Sequence, residues 1–249
     1  MNAGLSPFTI YRVIIYYLLS RQKMPNRRRE NEYHFASYFR RTAVELNNIS
    51  ISFLHFGNHQ VALETLADAI RIMKYCIVGR GNEVEYQNDA DESIGRAVEA
   101  LRREDLLFTR DSGDIHLSCG ARRLHDAAPT ETDMFHRVEE ESAILLFNMA
   151  LTHRSHGMCN NTHASLQQSL TLHELVLRIF GVELSVEGIF EENQRTSLTK
   201  LHLLADTFSN MGGIYSHLRQ YSYAEACFSQ ATRIAACSIA ESSFSAAAA

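Results

Sequence analysis

The chain has 249 residues, 45% hydrophobic and 21% charged, with only 3 Pro and 12 Gly, an ordinary globular composition that favours helix over sheet and suffices for one large or two small domains. A formal net charge of −5 excludes a nucleic-acid footprint spread over the whole chain. The five cysteines (Cys76, Cys119, Cys159, Cys227, Cys237) are odd in number, scattered and without a CxxC pair, which argues against a disulfide framework and for a reduced, cytoplasmic setting.

Residues 1–29 form a leading segment. Phe8 to Leu19 is apolar apart from Thr9 and Arg12. A bilayer needs about twenty such residues, so this stretch is too short to span one. Arg21, Lys23, Arg27, Arg28 and Arg29 follow as a basic linker. An apolar helix beside basic charge suits an anionic membrane surface, and a loosely attached helix with a solvated linker fits the same letters.

From Glu30 the periodicity is helical. Ala43, Leu46, Ile49, Phe53 and Phe56 share one face, a turn follows at Gly57-Asn58, and Val61, Ala62, Leu66, Ala69, Ile70 and Met73 share the face of a second helix. Between about 79 and 132 the pattern is lost. Glu83 to Asp105 carries eight acids against three arginines, with Asp91 to Leu107 fitting an amphipathic helix through Ile94, Val98, Leu101 and Leu106. Thr109 to Pro129 is rich in turn residues and reads as an irregular loop. The whole stretch is expected to loop out as a polar insertion.

Thr132 opens another helix through Phe135, Val138, Ala143, Leu146, Met149 and Ala150, with Glu139-Glu140-Glu141 as a solvated first turn favourable to the helix dipole. A partner helix through Leu166, Leu170, Leu172, Leu175 and Ile179 ends at Gly181, which suits a left-handed cap. In the last hairpin Phe208, Met211, Gly212 and Tyr215 recur at helical spacing, and after a break at Leu218-Arg219-Gln220 so do Tyr221, Ala224, Phe228, Ala231 and Ile234. Small residues at Gly212, Ala224 and Ala231 allow two helix axes to approach to about 8–10 Å. The tail at 242–249 is expected to fray.

Counted from Ala205, this last hairpin resembles the tetratricopeptide (TPR) repeat: Met211, Gly212, Tyr215, Ala224, Phe228 and Ala231 stand where that family places its Leu-Gly, Tyr, Ala, Phe and Ala. Phe208 replaces the usual Trp, and Ala236 the closing Pro. Worn copies counted from Ala43 and Ala143 put Ser50 and Ala150 at the small crossing position. The resemblance implies an all-α domain over 30–241, a short TPR-like solenoid of three antiparallel hairpins with the polar insertion between the first and second.

Position six of the three copies reads Asn48, Asn148 and Asn210. In some proteins with these repeats, asparagines at this position line a concave groove and bond the main chain of an extended peptide; an amide offers both donor and acceptor to a peptide unit. The carboxylate clamp of other members, Lys at position five and Asn at nine, is absent: Asn47 and Ile51, Phe147 and Leu151, Ser209 and Gly213 stand there. The function expected is a non-catalytic protein-interaction adaptor with no cofactor. The alternative is an RNA-associated repeat protein using the basic front end, where Arg40-Arg41 join Tyr33, Phe35, Tyr38 and Phe39.

No phosphate-cradling glycine loop or nucleophile elbow is present. His153, His156, Cys159 and His163 are zinc-ligating types within eleven residues, but they straddle a turn and read as solvated rather than as a metal site.

Overall fold

The computed structural model describes residues 29–78, 83–108, 120–125, 134–182 and 198–247. Among them every regular element is an α-helix: α1 (Arg29–His55), α2 (His59–Val78), α3 (Glu83–Phe108), α4 (Met134–Cys159), α5 (His163–Ile179), α6 (Leu198–His217) and α7 (Tyr221–Ala247). The apolar and basic leading residues 1–28 lie outside the described residues, as do Thr109 to Cys119 and Asp126 to Pro129 of the loop. None of the helices described is long and apolar enough to cross a membrane. The chain divides into two compact units, residues 1–148 and 149–249.

In the first unit α1 and α2 pack as an antiparallel pair, and α3 lies against both. Their contact is apolar and dense: Ala43, Leu46, Phe53, Ala62 and Ala69 are fully buried, and Leu66 and Met73 nearly so. Gly57 ends α1 in the left-handed region (φ 74°), with the Gly57 N–H on the Leu54 carbonyl and the Asn58 N–H on the Phe53 carbonyl. That is a Schellman turn, and it satisfies carbonyls a helix end would otherwise orphan.

The amphipathic helix expected over Asp91 to Leu107 is present as part of α3, which starts earlier, at Glu83, and packs on α1 and α2 rather than looping out. The helix turns Ala90 and Ala97 into the core and sets its acids against partners on α1 and α2. Arg71 bridges Asp89 on α3 and Asp68 on its own helix, Arg96 reaches Asp68 at 2.9 Å, and the Tyr75 hydroxyl donates to Asp89 at 2.7 Å. Tyr75 also stacks on Tyr86 with centroids 4.2 Å apart. Partly exposed ion pairs contribute only about 0.2–1 kcal/mol each, so they orient α3 more than they hold it.

The second unit holds the end of α4 with α5, and the α6–α7 pair, with α5 packed on α6. Both hairpins turn as the first does, yet without glycine. Asn161 (φ 51°) and Arg219 (φ 60°) take the left-handed position, with the Thr162 N–H on the Gly157 carbonyl and the Gln220 N–H on the Tyr215 carbonyl. Gly181 (φ 70°) caps α5 in the same way, its N–H on the Arg178 carbonyl and that of Val182 on the Leu177 carbonyl.

These turns set the register of the three hairpins. Gly57 follows Ala43, and Arg219 follows Ala205, by fourteen residues, whereas Asn161 follows Ala143 by eighteen. The turn of the second hairpin therefore comes one helical turn later than the count from Ala143 places it. Four residues before each left-handed residue stand Phe53, Gly157 and Tyr215, and five residues after it stand Ala62, Leu166 and Ala224. In sequence the outer two carry large before small and the middle one small before large; Phe53 and Ala62 share one buried cluster. A Cβ on Gly157 would lie 2.8 Å from the Leu166 side chain, so that glycine is what admits the leucine. Gly212 marks a second close approach, where a Cβ would meet the Phe228 ring at 2.7 Å. The helix α7 runs on to Ala247.

Candidate functional site: an asparagine cradle around an extended strand

Asn47 and Asn48 sit two turns before the end of α1, and Asn148 sits on α4 within the first unit. Their amides converge on one short segment, Gly120 to His125, which belongs to no helix. The Asn148 Oδ1 accepts the Arg122 N–H at 2.9 Å while its Nδ2 donates to the Arg122 carbonyl at 2.8 Å. Asn48 repeats the arrangement two residues on, accepting the Leu124 N–H at 3.0 Å and donating to the Leu124 carbonyl at 3.0 Å. Both main-chain groups of residues i and i+2 thus face one side, as they do along one edge of a β-strand. The two amides play the part of the neighbouring strand.

Asn47 locks the pair together. Fully buried, it accepts a bond from Asn148 Nδ2 at 2.8 Å and donates to the Arg122 carbonyl at 3.2 Å and to Asn48 Oδ1 at 3.3 Å. The Asn148 side chain is likewise fully buried. Each amide has its donors and acceptors matched, which is what makes burying them tolerable. The strand's side chains are bound more lightly. Leu124 is buried and Ala121 rests against the Phe53–Leu54–Ala62 cluster, but Gly120, Arg123 and His125 are exposed.

A buried ion pair lies at the strand's far end. Arg40, 1% exposed, grips the Glu141 carboxylate with Nε at 2.8 Å from Oε2 and Nη2 at 2.6 Å from Oε1. Its Nη2 also donates to the His125 carbonyl at 3.4 Å. Glu141, read from the sequence as part of a solvated first turn, is buried because this guanidinium replaces the water its carboxylate would need. Pairs of this kind gain little net stability, yet breaking one strands a buried charge at a cost of about 3–5 kcal/mol.

Asn210 is engaged elsewhere, in the second unit. Its Oδ1 accepts from Arg154 Nη1, and its Nδ2 donates to the Asp206 carbonyl at 2.8 Å, a bond within its own helix. Asn148 reaches the same segment as Asn48 even though it stands four residues further from its hairpin turn, because four residues are only about 40° more than a full turn and leave it on nearly the same helix face. Sequence reasoning missed Asn47 and the Arg40–Glu141 pair. The Asn47-Asn48 doublet was the available signal for the first.

The histidines of the α4–α5 turn do not converge. The His156 ring lies 3.0 Å from the Ser165 hydroxyl, while His153 is largely buried, and burial, with His156 nearby, pushes its pKa down to about 4. His173, fully buried on α5, is pushed down to about 3 by burial, with the Arg154 charge adding to it. Among the described residues no three His, Cys, Asp or Glu side chains stand close enough to hold a metal ion. Compared with protein-family models, with curated proteins and with solved structures, the chain matches none.

Proposed function

We propose that this chain is a TPR-like helical-hairpin adaptor: a non-catalytic, cytoplasmic interaction protein that holds a partner polypeptide in extended form by its main chain. One observation carries the reading. Asn48 and Asn148 each bond both the N–H and the carbonyl of one residue, at two residues spaced by the strand period. Amides used this way read the peptide unit and ignore the side chain. The device therefore suits a binding protein whose specificity comes from a few pockets beside the strand. The shared turn geometry of three hairpins and the traded large and small residues at their crossings support the repeat reading. In this reading the insertion supplies α3 and the strand, and Asn210 is a structural residue of the last hairpin.

The test is selection of peptides from a random library against the full chain. Binding of the selected peptides should fall at least tenfold when Asn48 is changed to Ala with helicity retained. It should fall similarly when alternate backbone amides of the peptide are N-methylated. Peptides indifferent to both changes would refute a main-chain cradle.

A further inference from the structure

The cradle is filled by its own chain, and the way it is filled says what it takes. We propose that Gly120–His125 is an intramolecular ligand, and that the partner is an extended peptide of another protein that displaces it, one with an aliphatic residue at the place of Leu124. This inference rests on the adaptor reading and adds to it both the ligand class and the regulation of the site.

Three features point to displacement rather than a permanent part of the core. First, the cradle bonds the segment through its main chain, so an extended peptide of any sequence can make the same four bonds. Second, the segment contributes little of its own to the interior: of its five side chains only Leu124 is buried, Ala121 and Arg122 are half-buried, and Arg123 and His125 are exposed. Third, the groups that form the cradle hold each other without it. Asn148 donates to Asn47, Asn47 donates to Asn48, and Arg40 stays bidentate on Glu141 when its longer bond to the His125 carbonyl is given up. An emptied cradle keeps its shape and offers water the positions that Arg122 and Leu124 leave.

The energetic consequence is a threshold. A segment covalently part of the same chain competes intramolecularly, at an effective concentration that a free peptide must exceed. A free peptide with the segment's own sequence is therefore outcompeted, and only a longer or better-filled partner displaces it.

The experiment uses the full chain and a fluorescent, end-blocked peptide, Gly-Ala-Arg-Arg-Leu-His. The double substitution Arg122→Pro and Leu124→Pro removes the two N–H groups that Asn148 and Asn48 accept, without touching a helix. The proline variant should bind the peptide at least tenfold more tightly than the unaltered chain. Adding Asn48→Ala should abolish that gain. Equal, Asn48-dependent binding by both proteins would overturn self-occupation and leave the adaptor reading standing. Absence of binding by both would overturn the two together. Amide hydrogen exchange on the unaltered chain is an independent check: Arg122 and Leu124 should exchange at least a hundredfold faster than Leu46 and Phe53 in α1. Exchange at the same rate as those core amides would mean the segment leaves only when the unit unfolds, and would sink the proposal.

Discussion

Asn148 offers the sharpest test, because its carbonyl and its NH2 do different work and can be removed separately. Changing it to Ala removes its bonds to the Arg122 N–H, the Arg122 carbonyl and the Asn47 Oδ1, which lie 2.8–2.9 Å from the amide, and leaves the carbonyl only the longer bond from Asn47 at 3.2 Å. A buried polar group left unpaired costs about 1–3 kcal/mol, and water can reach the half-exposed Arg122, so the sum should be about 3 kcal/mol. Changing it to Asp keeps the shape and the acceptor but sets an oxygen against two oxygens at 2.8 Å, in a site with no exposed surface. The new carboxyl can answer by staying protonated and donating one of the two bonds. Its folded pKa must therefore rise above the ordinary value of about 3.9.

The sign follows from that rise. A carboxyl raised in the folded state binds a proton there that the unfolded chain has released, so the variant loses stability as pH rises from about 4 until the folded pKa is passed. Relative to the unaltered protein, Asn148→Asp should be the milder change at pH 5. By pH 8 it should be the harsher, at about 4 kcal/mol or more, whereas the penalty of Asn148→Ala should not depend on pH. Urea unfolding followed by circular dichroism at pH 5, 6.5 and 8 measures all three proteins. Aspartate tolerated as well as asparagine at pH 8, or two variants with the same pH profile, would refute the assigned donor.

Two further predictions concern the second unit. His173 and His153, held neutral with pKa values near 3 and 4, take up protons on unfolding below the ordinary 6.5, so stability present above about pH 6.5 should be lost on acidification toward those values. The slope for a fully buried histidine is about 1.4 kcal/mol per pH unit, less for the partly exposed His153. His173→Gln should flatten the dependence of the urea midpoint between pH 6.5 and 5, and an unchanged slope would disprove the assignment. Gly157→Ala should destabilise by about 1–3 kcal/mol, outweighing a helix-propensity gain of about 1 kcal/mol, because the new methyl meets a nearly fully buried Leu166. Combined with Leu166→Ala the two penalties should fall well short of additive; an additive double-mutant cycle in thermal unfolding would remove the steric account.

Periodicity, small crossing residues and turn signals are local, and they were enough to mark the helices and the hairpin turns. Ala43, Leu46 and Phe53 are buried on one face of α1, and Gly57 and Gly181 take the left-handed conformation that a helix end needs. The helical start of the acidic stretch was less legible, because Asp89 and Asp91 are polar letters whose partners, Arg71, Tyr75 and Tyr38, lie on other helices. The register of the second hairpin was obscured because Asn161, rather than glycine, occupies the left-handed position, and because Gly157 and Leu166 exchange the usual sizes.

The asparagines were visible as candidates for bonding a main chain, since an amide announces that capacity wherever it stands. Which main chain they meet depended on tertiary structure alone. Leu124 is 76 residues from Asn48, and Glu141 is 101 from Arg40. Sequence by itself determined where most of the helices form and which groups could pair, because those depend on neighbours along the chain. Folding decided which groups do pair and left Asn210 out, because a hydrogen bond requires a distance of about 3 Å that no spacing in sequence encodes.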